Sequence, residues 1–343
     1  MVLAFNIHGV RVRAVVDTAS LAQRIRGAIG PFEVAADGEA GFLLDVRHEA
    51  DPFPDVAPEG MEEHWRGTLP DGPPAVCFRG ASERETLLPG LARMRLTERG
   101  ADVRVAPGAD WCLSLGCILP ALCEFLARRG HYVIHAASLS VAQPFGGSGV
   151  PPVGARTGGV PVPPALLLCG PSGAGKTTTA LALAHAGMQL HTDDATFLSD
   201  ASGALRVWGL PRPCKVHLRT VDLMPWLRPH CEGQQPVGGE YLAELAPLAG
   251  PGALGMAEPA LVLFLEERNP GGHRLRALDK VEAVARLADE NVRAADLRGQ
   301  GPAGAAFRAL AHLAASVPVF LLSVGPGLDS LQETLQPLLA SPR

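Results

Sequence analysis

The chain has 343 residues, 47% of them hydrophobic and 19% charged, with a formal net charge of -5. That length supports one large or two medium domains around a substantial core, and a mildly acidic chain without an arginine or lysine run is a poor nucleic-acid partner. No segment reaches the roughly 20 uninterrupted apolar residues of a membrane helix, so no membrane partner is expected.

Met1–Gly9 lacks the basic start and long apolar stretch of a secretory signal. The seven cysteines, Cys77, Cys112, Cys117, Cys123, Cys169, Cys214 and Cys231, are odd in number and contain no Cys-x-x-Cys pair. A reduced, cytoplasmic chain accounts for this better than a disulfide framework or a zinc site.

In chain order, Leu3–Ile7 and Val10–Val16 flank His8-Gly9 as a hairpin, and Thr18–Ile29 reads as a helix with Leu21, Ile25 and Ile29 on one side. Phe42–Val46, Ala75–Phe78 and Val103–Val105 are strand candidates separated by turn clusters such as Pro70–Pro74. Residues 1–112 therefore read as a mixed α/β or β-rich accessory domain without catalytic spacing. Leu115, Ile118, Leu119, Leu122, Phe125 and Leu126 recur at helical spacing, with Pro120 confined to a first turn or a kink.

Tyr132–Ile134 reads as a strand running into His135 and continuing over Ala137–Val141. Twelve of the 23 residues from 142 to 164 are glycine or proline, without apolar periodicity, so this segment is expected to be a flexible surface insertion rather than a domain linker. Ala165–Cys169 is a continuous apolar run, as in a strand buried on both faces. Thr177–Ala186 reads as a helix stopped by Gly187, and Met188–Thr192 as a short strand ending in Asp193-Asp194. Ala260–Leu265 and Val317–Leu322 are further strands, and Lys280–Ala288, Ala303–Ala315 and Leu328–Leu339 further helices. Interleaved strands and helices predict an α/β domain over 113–343.

Between the apolar strand and the helix lies Gly170, Pro171, Ser172, Gly173, Ala174, Gly175, Lys176, Thr177, followed by Thr178. In the pattern Gly-x-x-x-x-Gly-Lys-[Ser/Thr] the glycines let the backbone curl around a phosphate. Successive amides and the helix N-terminus then donate to the anion. Lys176 would reach the β- and γ-phosphates and the Thr177 hydroxyl would ligate Mg²⁺. A short glycine-rich pattern can arise by chance among 39 glycines; the flanking strand and helix are what support a nucleoside-triphosphate site.

Asp193-Asp194 stands seventeen residues beyond Lys176, after one helix, at a strand end that should face the loop. One carboxylate would hold Mg²⁺ and the other would accept a proton from an attacking hydroxyl. The alternative is a solvated turn. His135 has no stronger claim by composition than His131 or His191.

From His135 to Leu198 the chain resembles the catalytic domain of the HPr kinase/phosphorylase family. Its pieces are His135-Ala136-Ala137-Ser138, the loop 170–177, Gly187, and Leu190-His191-Thr192-Asp193-Asp194. Weaker similarity runs through Gly209–Pro213 to Val317–Leu322. The resemblance implies a P-loop kinase fold like that of HPr kinase and phosphoenolpyruvate carboxykinase, with a mixed sheet. It also implies that Lys176 and the loop hold ATP, that Thr177 and Asp194 hold Mg²⁺, that Asp193 is the base, and that His135 stabilises the transferring phosphoryl group; the two aspartates could exchange roles. The Glu-Ile-Arg-Gly-Leu-Gly-Ile segment of the bifunctional enzymes is absent, and Arg206–Pro213 occupies that region. This argues against HPr as acceptor and against the phosphorylase reaction. The chain is more similar to the divergent HPr-kinase-like proteins found beside peptide-modification and other small biosynthetic clusters.

The expectation is therefore an Mg²⁺- and ATP-dependent kinase acting on a hydroxyl of a peptide, protein or small molecule. The competing reading is a P-loop ATPase or nucleotide-dependent switch with water as the acceptor. Arg212 and Lys215 are candidates to meet an anionic group or are simply exposed basic residues. The acceptor, and whether the chain forms a homo-oligomer, stay open.

Overall fold

Turn chemistry sets the first hairpin. His8 and Gly9 both have positive φ, 50° and 91°, the twist that joins two antiparallel strands through a two-residue turn. It connects β1 (Val2–Ile7) and β2 (Val10–Val16) in the expected register, Ile7 opposite Val10. The computed structural model describes residues 1–50, 53–69, 72–141, 162–200, 203–210, 212–236, 238–243, 254–291 and 303–340. Most of the 142–164 insertion lies outside these residues.

The chain forms two compact units, Met1–Arg129 and Gly130–Arg343. In the first, β1 and β2 join β3 (Glu33–Val34), β4 (Phe42–His48), β5 (Glu62–Thr68), β6 (Pro74–Arg79), β7 (Arg84–Leu88), β8 (Ala92–Leu96) and β9 (Gly100–Val105). Their order in one nine-stranded sheet is β3-β1-β2-β4-β9-β8-β7-β6-β5. β4 pairs in parallel with both β2 and β9, and the other neighbours are antiparallel.

Helix α1 (Ala19–Ile29) begins where the Thr18 side chain accepts a hydrogen bond from the Leu21 amide, and it buries Leu21, Ile25 and Ile29. Helix α2 (Leu119–Ala127) continues directly from a wider π-type turn over Ser114–Ile118, and Pro120 sits at the junction, where the wider turn accommodates a residue without an amide hydrogen. Phe125 of α2 packs on Phe42 of β4 with ring centroids 4.1 Å apart. That contact explains why the helix belongs with the first unit, although the sequence placed it at the start of the second domain.

The second unit is built on β10 (His131–Ser140), β11 (Pro164–Cys169), β12 (Gln189–Thr192), β13 (Ala195–Ser199), β14 (Arg206–Gly209), β17 (Glu258–Leu265), β18 (Arg274–Ala277) and β19 (Val319–Ser323), with β15 (Cys214–His217) and β16 (Glu240–Ala243) as a separate pair. β11, β17 and β19 are parallel neighbours. β10 is antiparallel to β11 on one side, and to β12 and β13. The sheet is mixed, and the fold is mixed α/β.

Helices cover both faces of this sheet. Leu166 and Leu168 of β11 share a buried cluster with Leu181 and Leu183 of helix α3 (Lys176–His185). The alternate residues Leu167 and Cys169 share a second cluster with Leu287, Leu310 and Leu313, which lie on helices Lys280–Asn291 and Ala303–Ser316. The unbroken apolar run 165–169 is therefore buried on both sides, as its composition requires. Among the described residues no helix is long and apolar enough to cross a membrane.

Candidate functional site

Strand direction gathers the site at one end of the second sheet. β11 and β12 both run antiparallel to β10, so they point the same way. The loop leaving β11 and the aspartates leaving β12 consequently emerge at the same end. The ladder on β10 is interrupted rather than ended: Thr192 pairs with Ser138, Ala195 pairs with His135, and Asp193-Asp194 spans the gap. The chain then continues as β13, a strand that the sequence had not suggested. The Ala136 amide donates to the Asp194 carbonyl at 3.0 Å across the gap.

The glycine-rich loop has the backbone its composition calls for. Gly173 and Gly175 adopt φ of 83° and 97°, a left-handed conformation open to glycine. Gly170 has φ 142° and little room, since a Cβ there would lie 3.3 Å from the Leu265 carbonyl oxygen. Helix α3 starts at Lys176, directing its first-turn amides at the loop. Lys176 is only 6% exposed, and its Nζ donates to the carbonyls of Gly170 at 2.6 Å and Pro171 at 3.1 Å. Burial pushes its proton affinity down, opposed by the carboxylates of Asp194 and Glu290. Pro171 and Ser172 are exposed, and Ala174 packs at the edge of the core. The Thr178 hydroxyl is hydrogen-bonded to the Thr220 hydroxyl at 2.8 Å.

The two aspartates meet different partners. The Thr177 hydroxyl donates to Asp193 Oδ2 at 3.2 Å. Asp193 is 7% exposed; burial, then the charge of Asp194, push its pKa up, while Arg212, Thr177 and the Cys214 thiol oppose the shift. Cys214 is in turn pushed up by burial and by Asp193. Asp194, with a half-exposed side chain, lies 3.0 Å from His135 Nε2 and 3.6 Å from Arg212 Nη2. The hydrogen bond from His135 holds the Asp194 pKa below the usual carboxylate range against the effect of burial. The two residues form the bend between β12 and β13, and their side chains meet different elements there. Thr177 thus meets Asp193, whereas the family resemblance had paired it with Asp194.

Arg212 belongs to the site by position. Its Nε is buried without a hydrogen-bond partner among the described residues, a donor free to meet an anion. Two further residues had no signal in the sequence. Glu290 Oε2 accepts from the Gly170 amide at 2.8 Å, and Asn291 Oδ1 accepts from the His135 amide at 2.6 Å. They close a helix that the apolar spacing carried only to Ala288, and no motif spacing links them to the loop.

No cluster of three or more His, Cys, Asp or Glu side chains among the described residues could hold a metal unaided. The Thr177–Asp193 pair fits a magnesium ion, which ordinarily takes one or two protein oxygens together with phosphate and water oxygens.

No protein-family profile matches the chain, and no curated protein sequence is similar to it. Among solved structures, the Hpr(Ser) kinase/phosphatase from Coxiella burnetii aligns over 59% of this chain and 92% of its own, at 17% identity and a TM-score of 0.29.

Proposed function

We propose that the second unit is a kinase that moves the γ-phosphoryl group of Mg²⁺-bound ATP to a hydroxyl, with a serine of a peptide or protein as the favoured acceptor and a small-molecule alcohol as the other. The observation that carries this reading is the meeting, at one sheet end, of a buried loop lysine, a hydroxyl–carboxylate pair and a histidine–carboxylate pair. Seven free cysteines suit the reducing cytoplasm, where ATP is plentiful.

In this reading Lys176 exchanges the carbonyls of Gly170 and Pro171 for the β- and γ-phosphate oxygens. Thr177 and Asp193 hold the metal ion, which when bound neutralises phosphate charge. The geometry supports Asp194 rather than Asp193 as the base, because its carboxylate is half exposed and His135 keeps it ionised. Asp194 accepts the proton of the acceptor hydroxyl as the new O–P bond forms and the bond to the leaving ADP oxygen breaks. The Arg212 Nε donates to the transferring phosphoryl oxygens, placing a donor where negative charge is shared, while His135 Nε2 stays on Asp194.

The test is incubation with Mg²⁺ and γ-labelled ATP, with serine-containing peptides and small alcohols offered as acceptors. Label on an acceptor, lost in Asp194→Asn, supports the kinase. Phosphate release that no acceptor diverts would replace it with the ATPase reading.

A further inference from the structure

We infer that the last turn of helix Lys280–Asn291 is a positioning clamp, in which Glu290 fixes the start of the glycine-rich loop and Asn291 fixes the backbone of His135. The inference rests on the proposed kinase site and names residues that neither the loop pattern nor the aspartate pair reaches.

Gly170 is buried, and leaving a buried amide without a partner is destabilising. Glu290 Oε2 supplies that partner at 2.8 Å. A carboxylate at a helix C-terminus repels a triphosphate, so its position beside the loop calls for a compensating role, and the hydrogen bond to Gly170 is one. The titratable and charged groups that face Glu290 are Lys176 of the loop helix, His135 of β10 and Arg286 of its own helix. Lys176 is turned back on the carbonyls of Gly170 and Pro171 while Glu290 holds the Gly170 amide, so both polar groups of Gly170 are engaged.

Asn291 is oriented by both ends of its amide. Nδ2 donates to the Leu287 carbonyl at 2.8 Å, leaving Oδ1 to accept from the His135 amide at 2.6 Å. The reversed amide would place a donor against each donor and an acceptor against each acceptor, so the network fixes one orientation. The helix itself is anchored, because Ala283 and Leu287 are both 0% exposed in the core cluster on that face of the sheet. Glu290 and Asn291 are thus adjacent residues on one rigid platform, each holding a different element of the site, the arrangement that keeps reacting groups in register.

The experiment is site-resolved amide hydrogen exchange at Gly170 and His135 in the free, full-length protein, combined with Mg²⁺-ATP titration calorimetry. It compares wild type with Glu290→Ala, Glu290→Gln and Asn291→Ala. Gln keeps an acceptor oxygen at the hydrogen-bonding position; Ala removes it. The expected result is that Glu290→Ala speeds exchange at Gly170 about tenfold or more and weakens Mg²⁺-ATP binding at least about fivefold, while Glu290→Gln restores both to within about twofold. Asn291→Ala speeds exchange at His135.

Exchange and affinity unchanged in Glu290→Ala would overturn the clamp. If an alanine variant does not fold, Glu290→Gln decides: Gly170 protection as in wild type supports the clamp, and loss of that protection overturns it. Wild-type protein that binds no Mg²⁺-ATP, yet loses Gly170 protection in Glu290→Ala, leaves the clamp standing and refutes the nucleotide reading of the loop.

Discussion

Asp193 and Asp194 are chemically identical and covalently adjacent, and their surroundings alone make them different. Asp193 is buried against the Thr177 hydroxyl, and Asp194 faces His135 and Arg212. The two asparagine variants should therefore fail differently. Asp194→Asn should lower the transfer rate by about 100- to 10,000-fold, as loss of a general base does, with Mg²⁺-ATP affinity within about threefold of wild type. Asp193→Asn should instead raise the Mg²⁺ concentration needed for half-maximal turnover. Kinetics at varied Mg²⁺ separate the two, and the opposite pattern would restore the assignment implied by the family resemblance.

A second residue-scale prediction concerns Glu85 of β7. It is 5% exposed, and burial pushes its proton affinity up against the opposing charges of Arg93 and Arg95. A carboxyl whose folded-state pKa is raised stabilises the fold below its unfolded pKa and loses that contribution as pH rises through the folded value. Glu85→Gln, which cannot ionise, should raise Tm at pH 7 and leave it nearly unchanged around pH 4. An equal Tm difference at both pH values would show that charge burial is not the cause.

The loop and the aspartate pair were legible in the sequence because both are contiguous, and contiguous residues remain neighbours however the chain folds. Which aspartate meets Thr177 was not, since it depends on how the chain crosses the gap in the β10 ladder. Glu290 and Asn291 were invisible for a stronger reason. They lie more than a hundred residues from the loop in sequence, and only the packing of their helix on the sheet brings them to it.

At the scale of elements, β14 is held to the sheet by Trp208. Its side chain is fully buried, stacks on Phe197 at 4.1 Å with a 7° interplanar angle, and donates from Nε1 to His131 Nδ1 at 3.3 Å. Truncation of a core tryptophan costs about 3–5 kcal/mol, so Trp208→Ala should lose an amount in that range in urea denaturation. A loss below about 1 kcal/mol would mean that this edge of the sheet contributes little to global stability. The next residue, Gly209, approaches β12 so closely that an added Cβ would sit 2.6 Å from the His191 carbonyl oxygen. Gly209→Ala should therefore disturb the segment that carries Asp193, reducing transfer as well as stability.

Elements with strong periodicity were legible: β1, β2, β11, β17 and helices α1 and α3 agree with their apolar spacing to within a residue or two. β5 was not, because it is an edge strand whose side chains are mostly exposed and so carry no apolar alternation. In β8 the alternation was present, with Ala92, Met94 and Leu96 buried between Arg93 and Arg95.

At the scale of the whole molecule, every residue assigned here to the site falls within Gly130–Arg343, the second compact unit. A chain of residues 130–343 should fold and bind Mg²⁺-ATP with an affinity within about threefold of the full-length protein. A folded fragment that does not bind would make the first unit a contributor to the site. The pattern along the chain suggested two domains, the first mixed α/β or β-rich, because punctuated short strands give way to strand–helix alternation. The placement of helix α2 was not legible, since its apolar face reports that it is buried but not against which sheet.

The most direct measurement is titration calorimetry of Mg²⁺-ATP into the full-length protein and into Lys176→Ala, with folding of both verified by thermal unfolding. Saturable one-to-one binding by the wild-type chain, abolished or weakened at least about a hundredfold in Lys176→Ala, is the expected result. Absence of binding, or equal affinity in the two proteins, would contradict a nucleoside triphosphate held by the loop at residues 170–177.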